Sequence, residues 1–262
     1  MRRIWMLLYC CLGTWQLHAQ QGAAFWGLGG NEANRDAAFG LSNNPGVAFS
    51  GKASGGVWGQ QRFTGTTIAH GGAALAFRNK GTLYGGDFSY RGTSDFSVNS
   101  AHFSLCQIIS SQFSVGFSVG YTSLHQSMLN ERPTWLSGRL GAAFQLNEKW
   151  DGSAVIFNPW NRAYDGGAAI PGGALALGYK INPLTRAGFQ YRYNASFQPV
   201  YGISIRHEYG KRIVFNGALQ IGPEPFSGGI EYKSASGNFG LATRYHTYLG
   251  FSPAFSWIWS KR

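Results

Sequence analysis

The sequence predicts an all-β chain: a transmembrane antiparallel β-barrel of about 14 strands with an N-terminal plug-like segment. Three observations predict it. Residues 113–121 read Phe-Ser-Val-Gly-Phe-Ser-Val-Gly-Tyr, apolar at every odd position and Ser or Gly at every even one. Strand side chains alternate faces, so this strand has one apolar face and one small polar face. The alternation then recurs in strand after strand to the end of the chain. It also stands behind an export signal, the combination by which an outer-membrane barrel reads from sequence.

The signal occupies residues 1–19. Arg2 and Arg3 form a positive n-region, Ile4 to Leu17 an apolar h-region, and Leu17-His18-Ala19 the cleavage site. Cys10 and Cys11 lack the small preceding residues that lipoprotein processing needs, so both leave with the signal. Residues 20–54 are rich in Gly, Ala and Asn and hold no sustained period. They are read as a plug or latch, ending near the turn cluster Leu41-Ser42-Asn43-Asn44-Pro45-Gly46. Residues 55–262 are then the barrel.

Strands are expected near 55–63, 66–78, 82–91, 95–107, 112–124, 134–146 and 150–158, then 171–181, 185–194, 198–209, 212–221, 225–233, 237–248 and 251–259. Tight connections such as Asn79-Lys80-Gly81 and Gly210-Lys211 alternate with longer ones such as 127–133 and 159–171. Short turns on one side and longer loops on the other fit a barrel whose short turns are periplasmic. An even count returns both ends to that side.

The faces follow from parity. Phe189, Tyr191 and Tyr193 oppose Gln190 and Arg192, and Tyr201, Ile203 and Ile205 oppose Ser204, Arg206 and Glu208. A charge facing lipid at midplane costs about 2–4 kcal/mol, so the arginines should point inward. Trp58, Trp135, Trp150, Tyr179, Tyr248, Trp257 and Trp259 are expected in interfacial girdles. A soluble sandwich or solenoid would alternate too, but its solvent face would carry Lys, Glu and Thr in quantity. Here Gly, Ala and Ser fill that face.

Composition narrows function. The chain has 22 Lys+Arg and 11 Asp+Glu, a net +11 that becomes +9 without Arg2 and Arg3. No nucleic-acid-binding motif accompanies that charge, so nucleic acid is not an expected partner. Only Cys106 remains after the signal, which excludes an intrachain disulfide. The histidines show no metal-ligand spacing and no nucleophile sits beside a base, so no metal, cofactor or catalytic residues are assigned. The candidate site is the set of lumen charges: Arg91, Arg139, Arg186, Arg192, Arg206, Glu208, Glu231 and Arg244, with Asp87 and Lys233. They read either as a basic lumen that attracts anions or as a network that braces the wall and pairs with Glu32, Arg35 and Asp36 of the plug. The face of Asp151 stays open.

Gly27-Leu28-Gly29-Gly30, Asp36-Ala37-Ala38 and Asn43-Asn44-Pro45-Gly46 resemble the opening of the PorV and FadL-like outer-membrane barrels. Ile156-Phe157-Asn158-Pro159-Trp160-Asn161-Arg162, Gly228-Gly229-Ile230-Glu231-Tyr232 and the run from Tyr245 to Pro253 look like a compact group of them in Bacteroidota. In the family the plug motif reads Asn-Pro-Ala. Here Asn44 and Pro45 keep it, and Gly46 stands in place of Ala. The resemblance implies a fourteen-stranded barrel with its N-terminal segment at or in the lumen. It also implies either service to type IX secretion or passage of hydrophobic molecules. FadL-type transporters carry long external loops and PorV-type proteins are larger, so this chain departs from both. The expected function is a non-enzymatic bacterial outer-membrane barrel. Its partners are outer-membrane lipid and, as docking component, secretion subunits or cargo. The alternative is a transporter of small hydrophobic or amphiphilic molecules.

Overall fold

A computed structural model describes residues 28, 37–49, 51–127, 133–159, 170–195 and 197–261. The expected signal, residues 1–19, lies outside them, as do Gly27, Glu32, Arg35, Asp36 and Trp160-Asn161-Arg162. Among the described residues one short helix, α1 (Ala37–Asn43), precedes fourteen strands. These are β1 (Ala53–Gln61), β2 (Ala69–Asn79), β3 (Thr82–Gly92), β4 (Phe96–Ile108), β5 (Phe113–Gln126), β6 (Thr134–Gln145) and β7 (Trp150–Phe157). They continue as β8 (Gly172–Asn182), β9 (Thr185–Asn194), β10 (Phe197–Tyr209), β11 (Ile213–Ile221), β12 (Phe226–Lys233), β13 (Asn238–His246) and β14 (Gly250–Lys261). Each strand pairs antiparallel with its sequence neighbours, and β1 closes on β14 from Ala53↔Lys261 to Gln60↔Ala254. Closure leaves no sheet edge.

The barrel begins two residues before the expected boundary at 54/55. Ala53 and Ser54 pair with Lys261 and Ser260, so they belong to the wall. The six tight connections share one end of the barrel with both ends of the wall. The other seven connections form the loop end.

The outside is apolar. Phe113, Phe117, Val119 and Tyr121 of the alternating run are exposed, while Ser114 and Ser118 are buried inside. The same parity exposes Leu175, Phe189, Ile203, Phe215, Leu241 and Phe255. So continuous a greasy belt around a closed sheet is the surface of a protein solvated by hydrocarbon. Trp150, Tyr179, Trp257 and Trp259 lie on that outer face near the turn end, and Tyr248 sits in the β13–β14 connection. Trp58 and Trp135 correct the girdle expectation. They are 4% and 6% exposed and point inward, on the parity of Ser54 and Gln60 in β1 and of Arg139 in β6.

Inside, the turn end is not polar throughout. Phe39 and Leu41 of α1 pack on Trp58, Ala74, Ala76, Leu83, Cys106 and Ile258. Small wall residues make this possible: a Cβ on Gly56 would sit 2.8 Å from the Phe39 ring, and one on Gly85 would sit 2.5 Å from Leu41. Residues 20–54 carry no sustained period, so α1 emerges only in the folded chain.

Candidate functional site: the barrel interior

The interior holds three groups of polar contacts. The first seats the N-terminal segment. The Ala38 N–H donates to Ser54 Oγ at 3.2 Å, and Ser54 Oγ donates to the Trp259 carbonyl at 2.9 Å. Beyond α1 the chain turns at Asn44-Pro45-Gly46, where Asn44 Oδ1 accepts from the Gly46 N–H at 2.9 Å. This is an Asx turn. Asn44 Nδ2 donates to the Ala154 carbonyl at 3.2 Å, and Ser114 Oγ donates to the Gly46 carbonyl at 2.7 Å. The turn lies so close to the wall that a Cβ on Gly116 would meet the Pro45 carbonyl and one on Gly141 would meet Asn44 Oδ1. A Cβ on Gly46 would fall on the Ala142 backbone. That contact gives a physical reason for Gly where the family pattern has Ala. Asn44 and Pro45 are fully buried in this seat.

Arg139 closes the seat from the wall. Its guanidinium donates to the Ser42 carbonyl at the C-terminal turn of α1, where a cation suits exposed carbonyls. Its other nitrogen lies 3.4 Å from His102 Nε2. His102 Nδ1 is 3.1 Å from Asp87 Oδ1, and His102 Nε2 is 3.3 Å from Ser137 Oγ. Asp87, His102, Gly120 and Ser137 are direct cross-strand neighbours on β3 to β6, and the absence of a side chain on Gly120 lets the imidazole cross β5. Sequence reasoning missed this row, because only register reveals it. The Gly138 N–H beside Ser137 is taken by Asn158 Oδ1 at 3.2 Å, and Arg139 shares the imidazole nitrogen. The row therefore reads as a relay from wall to plug. Arg139→Met should leave the barrel folded and raise hydrogen exchange of residues 38–47. A charge-assisted hydrogen bond contributes about 1.5–3 kcal/mol, so the rise should be about tenfold or more. Unchanged exchange would remove Arg139 from the latch.

The second group braces the wall. Arg206 of β10 meets Glu231 of β12 at 2.6 Å, with Asn216 of β11 between them donating to the same carboxylate. Arg186 pairs with Asp151, which settles the face of Asp151 as inward. Glu208 pairs with Lys233 at 2.9 Å near the turn end. Five of the expected lumen charges, Arg186, Arg206, Glu208, Glu231 and Lys233, thus lie in strand-to-strand pairs.

The third group is at the loop end. Glu224, held between Pro223 and Pro225, binds Arg62 at 3.1 Å and Arg244 at 3.3 Å. Arg91 lies within electrostatic reach of Arg62, and Arg192 within reach of Arg244. Arg62 arrives because the β1–β2 connection folds over the barrel mouth. The Phe63 N–H donates to Ser252 Oγ at 3.0 Å, and the Phe63 ring meets His246 edge-on at 5.3 Å. Burial draws the Arg62 guanidinium below its ordinary value, and Glu224 pulls it back up. Arg62 and Glu224 were not among the expected charges. Glu224 lies in a connection, where strand parity assigns no face, and Arg62, inside the strand expected at 55–63, lies one residue beyond β1. Among the described residues no group of His, Cys, Asp and Glu could hold a metal ion.

No protein-family model matches the chain, and no curated protein does. Solved structures do. A CymD monoaromatic hydrocarbon channel superposes with a TM-score of 0.63 at 16% identity, over 91% of this chain and 97% of the other. A TodX deltaS2S3 mutant monoaromatic hydrocarbon channel gives 0.68 at 12%, over 94% and 100%. A FadL homologue from Pseudomonas aeruginosa gives 0.66 at 9%, over 92% and 98%. At these identities the likeness is one of fold, a closed antiparallel barrel, built in this chain from fourteen strands.

Proposed function

We propose that the chain is an outer-membrane channel that admits small hydrophobic or amphiphilic molecules at its loop end and retains them above α1. One observation carries this reading: the wall presents Gly, Ala and Ser inward, and α1 is seated within the barrel against one side of it. A wall that leaves its interior to a separable segment suits passage controlled by that segment. The apolar belt supports the membrane location, and two of the structural neighbours are monoaromatic hydrocarbon channels. The arginines gathered around Glu224 suit a molecule with an acidic end. No specific observation favours docking in a type IX secretion complex or membership of the PorV branch.

Trp58 reports on the interior, since it faces inward and meets His70 edge-on at 4.3 Å. Titration of the purified barrel with octanoate or toluene should change tryptophan emission to saturation, and Trp58→Phe should remove that change. If neither probe gives a saturable change, the channel reading fails.

A further inference from the structure

All seven lysines of the chain lie at the turn end of the barrel. Lys52 and Lys261 flank the β1–β14 seam, where the Lys52 N–H bonds the Lys261 carbonyl at 2.9 Å. Lys80, Lys149 and Lys211 sit in the β2–β3, β6–β7 and β10–β11 turns, while Lys180 of β8 and Lys233 of β12 lie on the lumen-facing parity of their strands. Arg78 and Arg212 stand among them. The acidic residues at this level are Glu148, Asp151, Glu208 and Glu231, and the last three are engaged with Arg186, Lys233 and Arg206. The other six lysines are exposed and make no ion pair among the described residues. At the loop end the described cations are arginines that face the lumen.

Two further features define what the ring can bind. The outer wall just inside it carries Tyr84, Trp150, Tyr179, Tyr209, Tyr232 and Trp259, side chains that favour the boundary between hydrocarbon and headgroup. Lysine stems can lie along such a surface while the ammonium reaches the phosphate layer. The charge is also spread around the barrel: it recurs at β1/β14, β2–β3, β6–β7 and β10–β11. A protein docked on the barrel would use a patch on one side. Charge spaced over most of the circumference, with a gap at the β4–β5 turn, matches what surrounds the barrel, its lipid.

We propose that the turn end is a binding surface for anionic phospholipid headgroups, with the lysine ring as its ligand set. This rests on the membrane location proposed above. It fixes the barrel's depth and the leaflet that its turns face. The test uses the full chain, reconstituted into vesicles of phosphatidylethanolamine alone or doped with phosphatidylglycerol, then analysed by native mass spectrometry for retained lipid. Heat-modifiable gel mobility reports folding. Phosphatidylglycerol should be retained several-fold over its share of the bilayer, and the combined variant Lys80→Gln, Lys149→Gln, Lys211→Gln, Lys261→Gln should fall back to that share while folded. Folded protein that retains phosphatidylglycerol only in proportion to its share overturns the proposal. So does enrichment that survives all four substitutions. Release of a co-purifying acidic protein by the variant, with lipid retention unchanged, would assign the ring to a protein partner instead. Failure to insert into either vesicle would refute the membrane location itself.

Discussion

Gly141→Val is expected to unseat the N-terminal segment and open the barrel to ions. The new Cβ would fall on Asn44 Oδ1 and within 2.6 Å of the Gly46 nitrogen and 3.0 Å of Pro45 Cδ. β6 is held on both sides by ladders to β5 and β7, so the wall has little room to yield. The segment must move. Overpacking of this kind costs about 1–3 kcal/mol. Moving the turn also loses the Asn44–Ala154 and Ser114–Gly46 hydrogen bonds, each contributing about 0.5–1.5 kcal/mol net. A loss of about 3 kcal/mol shifts the seated-to-released ratio roughly a hundredfold. Planar bilayers should show frequent openings with Gly141→Val and rare ones with the wild type. Gly217→Ala is the control, because its nearest neighbour would be the Ile205 side chain at 3.7 Å. Identical traces for all three proteins would mean that the Asn44-Pro45 seat does not govern the lumen.

Glu231→Ala is expected to be the most destabilising single charge removal in the wall. Glu231 is 3% exposed and accepts from both Arg206 and Asn216. Removing it leaves a guanidinium and an amide without their acceptor inside the barrel. Breaking a buried ion pair on one side costs about 3–5 kcal/mol. Arg206 keeps 17% of its side chain exposed, so water recovers part of that and the lower bound applies. Urea unfolding in lipid should show the loss. The double variant Arg206→Met, Glu231→Leu should be more stable than Glu231→Ala alone, since it leaves no orphaned charge. If Glu231→Ala unfolds with the wild type, the pair braces nothing.

The wall was legible because a strand's period of two is written locally. β9 was expected at 185–194 and spans Thr185–Asn194. Other boundaries moved by up to three residues. Lipid-facing and lumen-facing sets followed from parity alone. The same parity would have placed Trp58 inward with Ser54 and Gln60, had the aromatic rule not been preferred. What the sequence hid is non-local. α1 is seven residues long, too short for a helical period to declare itself. Its Phe39 and Leu41 gain meaning only against Leu83 and Cys106, inward apolar residues on a face otherwise small and polar. The arginines could be named, but their partners could not. Arg206 finds Glu231 across β11, and His102 finds Ser137 across β5, through register that no local pattern carries. The clue to Glu224 was the flanking pair Pro223 and Pro225, which fixes the direction of a short connection.

The central claim is passage of small hydrophobic or amphiphilic molecules through a barrel controlled by its N-terminal segment. The most direct measurement is the initial uptake rate of radiolabelled octanoate and toluene in cells expressing the wild-type barrel, Gly141→Val, or no barrel. The account predicts faster uptake with the wild type than without it, and faster still with Gly141→Val. Equal rates in all three strains, with both barrels folded in the outer membrane, would contradict it.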